Sequence, residues 1–265
     1  MISLFDTHAH YDTPEYDTDR VETLRFVRDA GVLHILNVSY DMTSSARSVA
    51  LAEAYPFVRA AVGVHPLYIR DFDDAAKQEL QALLRHPSVV AAGECGLDYY
   101  ALKNRRTGDV VLPEADVRRQ QRETFAWQLQ LCVQSGLPAV VHSVAAAQDT
   151  LELLRAYPTV RGVMHGFSYS AEVAMECVKM GWRIGIGTGI TRPGARKIRE
   201  VAAKIPIEAM LIETDCPYQV TDSMRGERGD SRMLSEIVPE IAKLRGISPE
   251  EVVLATTENA SRLFF

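Results

Sequence analysis

Eight short apolar, β-branched runs recur along this 265-residue chain, and a longer amphipathic stretch follows each of them. The runs are Ser3–His8, Leu33–Val38, Val58–Val64, Val89–Glu94, Ala139–His142, Gly162–His165, Trp182–Gly187 and Met210–Glu213. Runs so short and rich in apolar, β-branched residues read as strands. Helical patterns lie between them, at Asp19–Ala30, Thr43–Ala54, Asp74–Arg85, Asp116–Ser135, Gln148–Ala156, Ala171–Met180, Ala195–Ala203 and Arg232–Arg245. In the fourth of these, Val117, Phe125, Leu129, Cys132 and Val133 fall near one face. Asp116 can cap its start, and Gly136 and Pro138 can stop it. Strand-then-helix repeated in this way predicts parallel strands covered by helices, an α/β fold of the TIM-like (β/α)8 barrel type. An open doubly wound sheet is the alternative. Barrels of about 250 residues fold as one unit, so residues 1–265 read as a single domain. Gly246–Phe265 predicts one or two terminal helices.

Charge and cysteine content remove several function classes. Lys+Arg is 29 against Asp+Glu 35, a net charge of −6, which speaks against an overall electrostatic clamp on nucleic acid. Any phosphate recognition must be local. No run approaches the ~18 apolar residues of a membrane span. The opening Met1-Ile2-Ser3-Leu4-Phe5-Asp6 has no basic n-region, which argues against a signal peptide. The four cysteines, Cys95, Cys132, Cys177 and Cys216, are far apart with no C-x-x-C pair. That predicts no disulfide framework and no thiolate zinc site, and it points to the cytoplasm.

Six residues of metal-ligand type close predicted strands. His8 and His10 stand two apart, so both can face the barrel mouth. Glu94 follows four small or apolar residues, where an unpaired carboxylate would be costly to bury. His142 and His165 each end an apolar run. Strand alternation puts Glu213 and Asp215 on one face, and Asp215 is the expected ligand because it sits at the mouth, before Pro217. Four histidines and two carboxylates suit borderline-to-hard divalent ions, and six ligands suit two ions sharing a bridge. Cys95 and Cys216 directly follow two of these ligands, and alternation turns them to the packing face.

The chain resembles the TatD-family metal-dependent deoxyribonucleases of the amidohydrolase superfamily. The resemblance rests on Phe5-Asp6-Thr7-His8-Ala9-His10, Gly63-Val64-His65-Pro66, Gly93-Glu94-Cys95-Gly96-Leu97-Asp98-Tyr99, Val141-His142-Ser143, His165-Gly166-Phe167-Ser168, Glu213-Thr214-Asp215-Cys216-Pro217-Tyr218 and the terminal Glu258-Asn259-Ala260-Ser261-Arg262-Leu263-Phe264. It implies a barrel hydrolase with two divalent ions, among zinc, magnesium, manganese, cobalt and nickel. By the same resemblance His8, His10, Glu94 and Asp215 hold one ion, and His142, His165 and a bridging Glu94 hold the other. Asp215 and Glu94 are then the catalytic pair, with Asp215 the general base toward an attacking water. DNA ends or single strands are the implied substrate, cleaved in a 3′–5′ exonuclease-like manner. His65, Asp98 and Tyr99 are expected to shape the substrate pocket.

The chain departs from the family at its rim. Val144 stands where the family's H-S-R pattern has arginine, Tyr169 where glycine is usual, and Arg228-Gly229-Asp230-Ser231 where R-N-E-P is usual. The 99–115 loop is longer than most, and such loops are often functional. Basic residues on loops of the same face offer phosphate contacts: Lys103, Arg105, Arg106, Arg192, Arg225, Arg228 and Arg232. Of these, Arg192 and Arg228 are the chosen candidates. Tyr99, Tyr100 and Phe167 are candidates for base stacking. His34 reads as core or interface and His86 as surface. Two other readings stay open: hydrolysis of an ester, amide or lactone at the same site, and metal binding without catalysis.

Overall fold

The computed structural model describes residues 3–101 and 113–265. Eight parallel strands form one sheet in sequential order: β1 (Leu4–Ala9), β2 (Val32–Val38), β3 (Val58–Val62), β4 (Val89–Asp98), β5 (Ala139–Val144), β6 (Gly162–Met164), β7 (Arg183–Ile186) and β8 (Met210–Ile212). The sheet curls until β8 meets β1. Past the end of β8, the Asp215 N–H donates to His8 O at 2.8 Å and the His10 N–H to Cys216 O at 2.8 Å. The (β/α)8 barrel is therefore the architecture, and the open sheet is excluded.

Helices follow the strands in turn: α1 (Arg20–Asp29), α2 (Met42–Ala54), α3 (Asp74–Leu83), α4 (Glu114–Ser135), α5 (Ala147–Ala156), α6 (Ala171–Lys179), α7 (Arg196–Lys204) and α8 (Leu234–Arg245). The α4 start differs from the sequence expectation. Pro113 precedes the helix, and Asp116 lies in its first turn, where a carboxylate favours the exposed amides. Its end is as expected, because Gly136 takes the left-handed conformation at φ 73°.

A single closing helix, α9 (Pro249–Phe264), starts at a Ser248–Glu251 capping box. Its Ala260 and Phe264 join Phe5, Leu36, Val140, Val163 and Leu211 in the inner barrel core. Phe5 and Phe264 approach at 6.0 Å between centroids, so α9 seals the end where the strands begin. The C-terminal strand ends are left as the place for a site. His34 packs against Phe5 at 5.3 Å at the sealed end, and His86 lies 3.3 Å from Glu53. Neither approaches the other histidines. All four cysteines are buried and free, and Cys95 lies in the layer between sheet and helices with Cys132 of α4. No helix of the described residues is long and apolar enough to cross a membrane.

Candidate metal centre

Irregularities in two strands aim the first candidate ligands inward. Between Asp6 and Ala9, β1 runs three residues against two on β2, and between Ala92 and Cys95, β4 runs three against two on β5. Each extra residue turns the local side chains, a common device beside active sites. Gly93 makes the second one possible. It has φ 151°, and a Cβ there would lie 2.6 Å from Val140 O. Glu94 follows it into the barrel, and its N–H donates to Ser39 O at 2.7 Å.

Buried hydrogen bonds hold the mouth in register. Asp6 accepts from the His8 N–H, the Thr214 N–H and the Thr214 hydroxyl, at 3.2, 3.0 and 2.6 Å. That ties the His8 strand to the Asp215 segment. Asn37 and Ser44 both donate to Asp12, at 2.8 and 2.6 Å, and fix the chain just after His10. From α4, Gln128 bonds both the N–H and the carbonyl of Val64, each at 2.9 Å. Gln121 accepts from the Asp98 N–H at 3.0 Å and donates to Pro66 O at 3.1 Å. Two buried glutamines thus position the His65 and Asp98 loops.

The six residues expected as ligands converge. His8 Nε2 lies 3.1 Å from His10 Nε2, 3.5 Å from Glu94 Oε2 and 3.9 Å from Asp215 Oδ1. His10 Nε2 lies 3.2 Å from Asp215 Oδ1. On the other side, Glu94 Oε1 is 2.9 Å from His142 Nδ1 and 3.1 Å from His165 Nε2. Ligands about 2.0–2.1 Å from one ion sit roughly 3 Å apart, so these spacings suit a cation between them. The second nitrogens support that fit. His10 Nδ1 donates to Val38 O at 2.7 Å, which leaves Nε2 a free lone pair. His165 Nδ1 lies 3.3 Å from Glu213 Oε1, which favours the same tautomer. His8 Nδ1 is buried without a hydrogen-bond partner, and His142 Nε2 has only the Asp98 carboxylate, 3.4 Å away.

The charges are mutually dependent. Burial pushes Glu94 up, but the charged histidine neighbours, His165 first, outweigh it and hold the carboxyl well below its usual range. Burial pushes His165 down, yet Glu94 and Glu213 keep it well above an ordinary histidine. Asp215 is likewise held low against its burial, chiefly by the His10 bond. The cluster is built around positive charge. His65 differs: burial drives it down to about 3, and its Nδ1 accepts from the Leu67 N–H at 3.1 Å. It is neutral, with its proton on Nε2, 3.7 Å from Glu94 Oε1. His65 is therefore set up as a donor.

The other sequence candidates divide. Asp98 Oδ2 lies 3.4 Å from His142 Nε2, at the site. Arg192 lines a cleft that also reaches Asp215. Tyr99 does not reach the pocket: its hydroxyl donates to Asp149 at 2.6 Å, and its buried ring lies under Arg118. Arg228 does not reach it either. It bonds Asp19 at 2.5 and 2.8 Å and covers the Tyr16 ring. The next acid, Asp230, pairs with Arg232, so the 228–231 segment braces the α1 side of the barrel. Tyr169 accepts from the Ala146 N–H at 3.0 Å and bonds Ser143, so it fastens the loop after β5. Lys103, Arg105 and Arg106 lie outside the described residues.

Two features escaped the sequence reading. Glu213 is fully buried behind His165, accepting from the Gly166 N–H at 2.5 Å, in a space that Gly185 leaves open. Alternation puts Glu213 beside Asp215, but past the end of β8 the chain turns left-handed at Asp215, φ 58°, and the two acids serve different places. A tyrosine rim, Tyr40, Tyr68 and Tyr218, borders the cluster. Only the third of them lay within a motif.

A barrel carrying a buried histidine–carboxylate cluster at its C-terminal strand ends is the framework of a metal-dependent hydrolase. Residues 5–265 match the family described as TatD related DNase. The chain belongs to that family. It is 36% identical over 263 residues to a Bacillus subtilis protein named "Uncharacterized metal-dependent hydrolase YabD", covering 98% of each chain. It is 31% identical over 270 residues to the "3'-5' ssDNA/RNA exonuclease TatD" of Pantoea vagans, covering 98% of this chain and 99% of that one. The crystal structure of the Escherichia coli TatD homologue YjjV superposes with a TM-score of 0.90 at 32% identity, covering 100% of this chain and 99% of that one.

Proposed function

We propose that the protein is a divalent-metal-dependent phosphodiesterase that acts on the ends of single-stranded DNA, as a 3′–5′ exonuclease-like enzyme. One observation carries the reading. Glu94 turns Oε2 to the His8 side and Oε1 to His142 and His165, so a single carboxylate joins two nitrogen-rich donor sets. His8, His10, Glu94 and Asp215 would hold one ion, and His142, His165 and Glu94 a second. When bound, such ions polarise phosphoryl oxygens and acidify a water. The nitrogen donors favour zinc, cobalt, nickel or manganese over magnesium. The name of the Pantoea relative supports a single-strand substrate. Four buried, unpaired cysteines suit a reducing compartment such as the cytoplasm.

The chain's own groups then divide the work. Glu94 is engaged on both oxygens and is not free to move a proton. Asp215 is ionised, and its side chain is 17% exposed, open toward the substrate side. It is the base that takes the proton from the attacking water as the new oxygen–phosphorus bond forms and the bond to the leaving oxygen breaks. That proton then passes to the leaving oxygen. The neutral His65 offers its Nε2–H near the reacting centre.

The test is turnover of single-stranded DNA with defined ends by metal-stripped protein, with ions returned one at a time. Recovery of product with a single added metal supports the reading. Turnover of esters, amides or lactones with none on strands transfers the site to carbonyl chemistry. Metal-loaded protein that is inert on all of these is a binding protein.

A further inference from the structure

The cluster lies between two openings of different chemistry, and Asp215 lines both. One is a small recess of about 240 Å³. Its inner wall is the histidine cluster and its outer wall is Tyr40, Tyr68 and Tyr218. Tyr40 and Tyr68 pack with centroids 5.0 Å apart, and the Tyr218 ring lies 5.1 Å from His10. Tyr68 is 46% exposed and Tyr218 55%. Rings of this size normally bury most of their surface. Two left open beside a polar cluster form a stacking platform. Ligand pockets that enclose a whole drug-sized molecule run from about 300 to 1,000 Å³, so this recess takes one planar fragment.

The other opening is a cleft of about 970 Å³ between the loops after β6, β7 and β8. Arg192, Arg196 and Lys197 line it, all exposed. None of the three has a carboxylate partner among the described residues. Further along α7 the pattern reverses, since Arg199 pairs with Glu240 and Lys204 with Glu200. Along this helix and the turn before it, the cations without a carboxylate partner thus lie at the cleft, and Arg225, which also lines it, pairs with Asp222. Thr188, which also lines it, is buried with its hydroxyl unpartnered. An open cleft with free cations and a spare hydroxyl suits a run of phosphates.

We propose that the two openings divide one substrate. The base of the terminal nucleotide stacks on Tyr68 and Tyr218 in the recess, and the phosphates of the following strand pass Arg192, Arg196 and Lys197 in the cleft. The inference rests on the nuclease reading and adds to it where each part of the strand lies. It also explains action from an end: a recess for one base places the first phosphodiester, and no later one, over the cluster. Stacking accepts every base, so the preference is for a base at the terminus and not for a particular one.

The experiment uses metal-reconstituted protein and single strands from dinucleotide to dodecamer, each with a normal or an abasic terminal nucleotide. Tyr68→Ala and Tyr218→Ala lower kcat/KM on base-bearing ends roughly 5- to 100-fold. Wild type loses a similar factor when the end is abasic, and the tyrosine variants lose little more. Arg196→Ala and Lys197→Ala cost more as the strand lengthens, and each flattens the slope of log K against log salt by about 0.7. All four side chains reach the surface, and thermal melting checks that the fold is kept. Equal losses on base-bearing and abasic ends, or basic-residue losses independent of length, overturn the division while strand cleavage itself stands. If wild type cleaves no strand, the nuclease reading falls and this inference falls with it.

Discussion

Gly185→Ala puts one methyl group where the Glu213 carboxylate now sits. The new Cβ would lie 2.2 Å from Oε2, 2.6 Å from Cδ and 2.7 Å from Oε1. Glu213 has nowhere to retreat without releasing the Gly166 N–H at 2.5 Å and its 3.3 Å approach to His165 Nδ1. Overpacking of this kind costs about 1–3 kcal/mol. Loss of the group that orients a metal-binding histidine costs about 10- to 100-fold in metal affinity or activity. Gly187→Ala is the control, because a Cβ there meets nothing nearer than Glu213 Cγ at 3.7 Å, and its φ of −98° suits any residue. It should change stability by less than about 1 kcal/mol. The assay pairs urea unfolding of the stripped proteins with competition for zinc or manganese against a chromogenic chelator. Gly185→Ala should lose both stability and metal affinity. A Gly185→Ala protein that binds metal like wild type would refute the orienting role of Glu213, as would an equal loss in Gly187→Ala.

Arg228→Ala should lower stability by about 1 kcal/mol, from an exposed ion pair and a cation–π contact, and leave the strand-length dependence of turnover untouched. A selective loss on long strands would restore Arg228 to the substrate rim. Asp6, fully buried, has its carboxyl pushed up to about 6 from 3.8, first by burial and despite its bonds to His8 and Thr214. The folded state therefore holds this proton to a higher pH than the unfolded chain does. Stability relative to Asp6→Asn should fall as pH rises from about 4 to 6 and level off above, a change of about 3 kcal/mol at most. Urea melts of stripped wild type and variant across that range check it, and a constant gap between them contradicts the burial cost.

Strand count, strand order and the convergence of six histidines and acids at the mouth were legible in the sequence for one reason. Each is written in local pattern: an apolar run ends and a histidine or acid follows. His8, His10, Glu94, His142, His165 and Asp215 all lie where that rule puts them. The rim was less legible because it depends on side-chain direction over irregular backbone. Tyr99 follows Asp98 directly, yet the step from one to the next carries its ring out of the pocket to Asp149. Arg228 sits on a loop of the correct face but finds Asp19, a partner 209 positions away that no local pattern reveals. The tyrosine rim is assembled from the loops after β2, β3 and β8, so only the closed barrel brings it together. Gln121 and Gln128 read as polar positions on an amphipathic helix, and only the packed structure shows them bound to loop backbone.

In the proposed metal centre one carboxylate, Glu94, joins two cation sites at the barrel mouth. Native mass spectrometry of wild type and Glu94→Ala, each titrated with zinc or manganese under identical conditions, measures it directly. Wild type should take up two ions per chain, and Glu94→Ala should lose the second ion and weaken its hold on the first. Two ions held equally well by both proteins, or none held by wild type, would contradict the account.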